Sequence, residues 1–132
     1  MYVPSPLAAL AYGAVKVGGY AAAARALNRA VGAAASPVAF GFAKTAIGLV
    51  GGIVYVMFAA ELFQDSGSDL RLYLAAAPVR FVAWAIALSL FYRLRPRTLV
   101  LAASLGTVWS YALDLIMVGI YKVLPGMVMP WC

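Results

Sequence analysis

A single carboxylate, Asp114, lies inside the long apolar stretch 98–124. An ionised aspartate is costly in the hydrocarbon of a bilayer, so such a residue usually faces a charged partner or a watery cavity. Lys16 and Arg80 occupy comparable positions within two other apolar stretches. If these stretches are helices that cross a membrane in alternating directions, the three charges come to roughly 15 Å below the same surface. We therefore expect Lys16, Arg80 and Asp114 to share one level of a helical bundle.

Three kinds of chemistry are compatible with these charges. In the simplest, Arg80 and Asp114 form a structural ion pair, which relieves much of the roughly 3 kcal/mol cost of an isolated charge at a helix centre, while Lys16 extends towards the surface. In the second, Lys16 adds another cation, and the site binds an anion or an anionic lipid headgroup. In the third, Asp114 carries a proton as a cationic partner comes and goes. The sealed ion pair is the simplest, and the residues leave the others open.

Hydroxyl groups lie about one helical turn from these charges and can complete a site for an anion. They flank Lys16 on both sides and precede Asp114. The candidates are Tyr12, Tyr20, Ser110 and Tyr111. Lys44 is expected to stay apart from this site, because it lies near the start of its own apolar stretch and can extend to the nearer membrane surface.

The residues needed for most enzyme sites are missing from this sequence. There is no histidine, and the single cysteine is Cys132, which excludes imidazole catalysis, histidine metal sites and an internal disulfide. An aspartyl site needs two opposed carboxylates, but Asp114 is deep while Glu61 is expected near the outer surface. The sequence has neither a glycine-rich phosphate loop nor a metal-ligand cluster. We expect no enzymatic activity, no cofactor and no metal.

The composition indicates an integral membrane protein. Hydrophobic residues make up 66% of the 132 residues and charged residues 11%, with a mean hydropathy of +0.96. Soluble domains contain about 25% charged residues. A transmembrane helix needs about 20 residues, so four helices nearly exhaust the chain. The net charge of +6 comes from residues within apolar stretches or at their ends, which indicates membrane topology and anionic lipid rather than nucleic acid.

The sequence predicts one all-α membrane domain over residues 1–132, a bundle of four transmembrane helices with short loops. The helices are expected at about 7–31, 37–63, 70–92 and 98–124. A turn of small residues precedes Pro37, which suits the first position of a helix. Pro78 favours a kink in the third helix; the alternative is that 70–77 lies along the membrane interface and the span begins at Pro78. The first helix is rich in alanine and carries several basic residues, so an amphipathic helix lying in the membrane plane is the alternative.

Small residues line one side of the second helix at spacings of four, three and four. They are Gly41, Thr45, Gly48 and Gly52. The last two form a GxxxG pair, which lets another helix approach closely. Packing against the first or fourth helix is the favoured interpretation, and association of two copies is the alternative.

Basic residues are concentrated in the connections after the first and third helices, namely Arg25, Arg29, Arg93, Arg95 and Arg97. The remaining connection contains Asp65 and Asp69. The positive-inside rule then places the arginines in the cytoplasm and both termini on the outer side of the inner (plasma) membrane. The arginines are also suited to contact anionic lipid.

Two function classes fit this sequence. The first is a homo-oligomeric transporter or flippase for an anion or an anionic lipid headgroup, because a chain of this length has little room for a pathway of its own. The second is a non-catalytic accessory or assembly subunit of a larger membrane complex. In both, the partners are the lipid bilayer and other membrane-spanning chains.

The predicted orientation can be tested with a membrane-impermeant thiol reagent. We expect Cys132 to be labelled on intact cells, because the positive-inside rule places the C-terminus outside. The variant R95C in a C132S background should be labelled only after the cells are opened. The reverse pattern would contradict the orientation.

Overall fold

The structure, a computed structural model, describes residues 6–62 and 69–121, which form five helices. These are α1 (Pro6–Val31), α2 (Pro37–Leu62), α3 (Asp69–Ala75), α4 (Ala77–Phe91) and α5 (Pro96–Tyr121). Four segments are long and apolar enough to cross a membrane: Pro6–Val31, Pro37–Ala59, Tyr73–Phe91 and Pro96–Ile120. These segments confirm the prediction of an all-α protein with four membrane-length helices. The predicted helix ends at 63 and 124 lie outside the described residues.

The four long helices form a closed ring of neighbours. α1 packs against α2 and α5, and α4 packs against the same two helices from the other side. Neighbouring helices run in opposite directions, as the short connections require. α1 therefore packs within the bundle beside α2 and α5, and it is one of the four helices long and apolar enough to cross a membrane.

The turn between α1 and α2 follows the rules for ending one helix and starting another. Gly32 has a φ of 65°, and the N–H of Ala33 reaches back to the carbonyl of Asn28 at 3.1 Å, as in a Schellman motif. Ser36 then caps α2, because its Oγ accepts the N–H of Ala39 at 3.3 Å. The predicted turn before Pro37 is confirmed, and it holds α1 against α2.

Pro78 divides the third predicted helix in two rather than only kinking it. Proline has no N–H to donate to the carbonyl four residues earlier, here that of Leu74. The chain leaves the α-helical pattern at Ala76, whose N–H bonds instead to Tyr73 O at 3.3 Å. The Tyr111 hydroxyl of α5 lies 3.3 Å from the carbonyl oxygens of Tyr73 and of Leu74. A side chain of α5 thus satisfies a backbone group that the proline leaves without its helical partner.

Close helix contacts depend on glycines, among them Gly41 and Gly106. Gly41 lies against the backbone of Val17, which brings α2 onto α1 as predicted for the glycine face. Gly106 of α5 leaves room for the indole ring of Trp84, which also packs against Tyr20 and Phe40. The first contact sets the distance between α1 and α2, and the second sets the distance between α4 and α5.

The remainder of the predicted glycine face lines a small cavity. Gly48 and Gly52 of α2 border it together with Arg80 of α4 and Ser110 of α5, the fourth predicted helix. The hydroxyl of Thr45 bonds to its own helix at Gly41 O, 2.8 Å away. The alternative that two copies associate through Gly48 and Gly52 stays a prediction.

Substitution of Gly106 should weaken the bundle. In G106A the new methyl group meets the Trp84 ring, which is held by other aromatic rings, so overpacking should cost about 1–3 kcal/mol. The matched control is G119A on the same helix, where an added Cβ meets nothing within 4 Å. Thermal unfolding in detergent should separate the two variants. Equal stability of G106A and G119A would contradict this packing.

Candidate functional site

Three helices contribute charged groups to one buried cluster. The Lys16 ammonium of α1 forms an ion pair and a hydrogen bond with Asp114 Oδ1 of α5. Arg80 Nη1 of α4 lies 2.7 Å from Asp114 Oδ2, and the Tyr73 hydroxyl of α3 donates to the same oxygen at 2.9 Å. We call Lys16, Tyr73, Arg80 and Asp114 the charge layer. Lys16, Arg80 and Asp114 are 1%, 4% and 5% exposed, so the charged groups are shielded from the surroundings, while Tyr73 is half-buried.

Helix geometry accounts for this meeting. Lys16 and Arg80 lie on helices that run in the same direction, whereas Asp114 lies on α5, which runs against both. Four residues along each helix, about 6 Å towards the arginine-rich end, the same three helices present Tyr20, Trp84 and Ser110. The registers of α1, α4 and α5 are therefore matched over more than one turn.

The second level is a set of aromatic and polar groups. Trp84 Nε1 donates to Ser110 Oγ at 2.9 Å, and the Tyr20 hydroxyl lies 3.3 Å from the same oxygen. The rings of Tyr20 and Trp84 meet edge to face, with centroids 5.5 Å apart. Lys44 of α2 places its Nζ 4.6 Å from the Tyr20 ring centroid and 5.3 Å from that of Trp84, both within cation–π range. We call Tyr20, Lys44, Trp84 and Ser110 the aromatic layer.

Lys44 does not lie where the sequence analysis expected it. Only 2% of the residue is exposed, and its ammonium faces the bundle interior rather than the nearer membrane surface. The expectation used only its short distance from the start of the helix. Lys44 lies on the same inward face of α2 as Gly41 and Gly48, so its side chain points into the bundle whatever its distance from the helix end.

The guanidinium of Arg80 has more hydrogen-bonding capacity than its surroundings use. Nη1 makes the contact with Asp114, and the group lies over the rings of Tyr111 and Tyr73, with Cζ 4.4 and 5.1 Å from their centroids. Nε and Nη2 are buried and have no hydrogen-bond partner among the described residues. A buried donor without a partner is costly, so this guanidinium is suited to receive a further acceptor.

A small cavity adjoins that guanidinium. It is lined by Lys44, Gly48, Gly52, Ala76, Val79, Arg80, Ala83 and Ser110. Its volume is about 10 Å³, which is close to the minimum for a single water-sized occupant. The cavity therefore connects the charge layer to the aromatic layer on the side of α2.

The other predicted site residues divide between this centre and the end of the bundle. Tyr12 is half-buried, with its ring centroid 5.8 Å from Lys16 Nζ. The predicted arginines are exposed, and the turns of the chain place them at one end, opposite Pro6 and the last described residues of α5. These exposed residues are Arg25, Arg29, Arg93, Arg95 and Arg97. The structure thus brings Lys16, Arg80, Asp114 and their neighbouring hydroxyls together and leaves the arginines apart.

Three parts of the site are not predicted from the sequence: Tyr73, the inward position of Lys44 and the hydrogen bond of Trp84. Tyr73 lies seven residues before Arg80, two helical turns away on the same face, and that spacing could have identified it. Trp84 is one turn after Arg80 in the same way that Ser110 is one turn before Asp114. Lys44 carries no comparable signal, because its partners lie on α1 and α4.

The centre combines positive and negative side chains in a buried environment. The buried charged residues of the described ranges are the cations Lys16, Lys44 and Arg80 and the carboxylate Asp114. Both oxygens of that carboxylate accept hydrogen bonds, from Lys16 and from Tyr73, so a proton would have to displace one of these donors. Within 6–62 and 69–121, no three residues of the metal-binding types come together.

Comparison with known proteins adds nothing to this geometry, because no protein-family model, curated protein or solved structure matches the chain.

The hydroxyl and the ring of Tyr73 should contribute separately to stability. Y73F removes only the hydrogen bond to Asp114, and a bond to a charged group is worth about 1.5–3 kcal/mol. Y73L also removes the ring beneath Arg80 and beside Tyr111, so it should cost more. The control F42L changes an exposed aromatic residue of α2 and should have little effect.

Unfolding of the four proteins in the same detergent would measure these differences. Wild-type stability in Y73F would show that the hydroxyl does not support the charge layer.

Proposed function

We propose that this protein binds a small anion inside its bundle and, assembled with further copies of itself, carries that anion across a membrane. The observation that supports the proposal most directly is the buried guanidinium of Arg80, whose Nε and Nη2 lack acceptors among the described residues. Lys44 lines the same cavity, so two cationic side chains border it. An anion would supply the acceptor that the Arg80 guanidinium lacks among the described residues.

The closure of the site favours a compact anion over a lipid headgroup. A headgroup remains attached to its acyl chains and needs an opening from the bilayer or its surface. The charge layer is at most 5% exposed at its charged residues, and the adjoining cavity is about the size of one water. A small ion can enter by modest movements of side chains, whereas a headgroup would require the helices to separate.

The membrane arrangement follows from the exposed residues. Large apolar side chains such as Phe42, Met57, Leu105 and Leu115 cover the outside of the four-helix ring, where they suit contact with lipid or with other helices. We place the arginine-rich end in the cytoplasm and the termini outside the plasma membrane. Transport through a bundle this small calls for an interface between copies, and the step involves no bond-making chemistry.

An accessory or assembly subunit is the second candidate. The same closure supports it, since the interior of the described bundle holds a sealed charge layer and a cavity for about one water. In that case the ion pairs would serve to fix three helices in register, and the apolar exterior would pack on a larger membrane protein. A pull-down in mild detergent separates the two: recovery of a stoichiometric larger partner favours the subunit, and recovery of homo-oligomer alone counts against it.

Reconstituted liposomes test the transport proposal. Vesicles containing the purified protein and loaded in turn with chloride, nitrate, sulfate or phosphate should release at least one of these anions. R80Q and D114N should each abolish that release, because they alter the donors or their arrangement. The control S104A, on the exposed face of α5, should transport normally.

Each variant must first elute as a folded species on size exclusion. Full flux in folded R80Q and folded D114N would refute the charge layer as a transport site.

A further inference from the structure

We propose that the cavity between α2, α4 and α5 is a binding site for one small halide, fluoride or chloride, held by Arg80, Lys44 and Ser110. This inference rests on the proposed function and names its ligand class. It is carried by three features of the cavity: donors of Arg80 without acceptors among the described residues, two cationic residues in its lining and a size close to that of one water.

Arg80 provides the main hydrogen-bond donors of the cavity. It is 4% exposed and lines the cavity, and its Nε and Nη2 have no acceptor in the described ranges. Nη1 is already engaged with Asp114, so the guanidinium bridges the fixed carboxylate and the cavity. A halide accepts hydrogen bonds from any direction, which suits two N–H groups that leave the same planar group at different angles.

Ser110 and Lys44 complete the wall from the aromatic layer. Ser110 Oγ accepts the indole N–H of Trp84 at 2.9 Å. The Tyr20 hydroxyl lies 3.3 Å from the same oxygen and can donate to it, in which case the hydroxyl proton of Ser110 is available to the cavity. Lys44 adds its positive charge while its ammonium rests on the rings of Tyr20 and Trp84.

Lys16 removes the main obstacle to an anion here, which is the charge of Asp114. The Lys16 ammonium binds Oδ1, while Arg80 and Tyr73 approach Oδ2. With its charge balanced in this way, the carboxylate repels a nearby anion less than a free one would. The charge layer then serves to orient Arg80 towards the cavity.

The size of the cavity selects the class of anion. Its volume is about 10 Å³, and part of its wall is formed by Gly48 and Gly52, which have no side chain to fill it. Fluoride is similar in size to water and chloride is somewhat larger, whereas nitrate, sulfate and phosphate carry several oxygens around a central atom. The larger anions would have to displace Arg80 or part the helices.

Binding of radiolabelled chloride to the purified full-length protein in lipid nanodiscs tests the site. We expect saturable binding that unlabelled fluoride and chloride compete. Nitrate, sulfate and phosphate should compete at least tenfold less effectively, because they would have to displace Arg80, and each lost charge-assisted hydrogen bond costs about a factor of ten in affinity. R80Q should lower chloride affinity about tenfold or more for the same reason. R97Q makes the same change of charge at an exposed arginine and should bind as the wild type does.

A second variant tests the cavity without altering any charge. G48A adds a methyl group to the wall and should abolish chloride binding, while the control G119A, where an added Cβ meets nothing within 4 Å, should not. G48A also protects the test against misfolding of R80Q, because its elution and thermal unfolding can be compared with those of G119A.

The possible results separate this inference from the function on which it rests. Saturable binding of phosphate or sulfate that is insensitive to halide would overturn the halide site and leave an anion-binding protein. Chloride binding that G48A and R80Q do not change would place the site elsewhere in the chain and overturn the inference. Absence of saturable binding for every anion would overturn both, leaving a cavity occupied by water.

Discussion

The bundle depends on the contact of one carboxylate with two cations from two other helices. Asp114 joins α5 to α1 through Lys16 and to α4 through Arg80, and Tyr73 adds α3 to the same group. In the apolar interior, each of these charges would be costly alone, and the removal of one partner leaves the other buried without its counterion. The register of three helices is thus set by a requirement of charge rather than by apolar packing, which tolerates small shifts. The match of Tyr20, Trp84 and Ser110 one turn away follows from that register.

The proline break and the charge layer are parts of one arrangement. Pro78 leaves the carbonyl of Leu74 without its helical donor, and the Tyr111 hydroxyl approaches it. The Tyr111 ring then lies beneath Arg80, whose guanidinium reaches Asp114 on the same helix as Tyr111. One face of α5, through Tyr111 and Asp114, therefore provides partners both for the backbone carbonyl of Leu74 and for the Arg80 guanidinium. Arg80 is the exception, because its Nε and Nη2 have no acceptor among the described residues, and this excess of donors is the basis of the anion site that we propose.

Much of this arrangement could be predicted from the sequence, and the remainder depended on rotation about the helix axes. Counting residues from the ends of the apolar stretches gives the depth of Lys16, Arg80 and Asp114, because a helix rises a fixed distance per residue. Depth alone does not give direction. Lys44 is expected at the surface but lies inside, and the cavity that Gly48 and Gly52 line between α2, α4 and α5 cannot be read from the glycine spacing. Pro78 was read as a kink, and the interruption at Ala76 that places Tyr73 beside Asp114 could not be derived from its presence alone.

A double-mutant cycle between Lys16 and Asp114 tests the central role of the charge layer most directly. The free energies of unfolding of K16M, D114N and the double variant would be measured in one detergent and compared with the wild type. We predict that each single change is strongly destabilising, by about 3–5 kcal/mol, and that the double variant loses less than the sum by more than about 1 kcal/mol. Additive losses, agreeing to within about 0.5 kcal/mol, would show that the two residues act independently and would contradict the account.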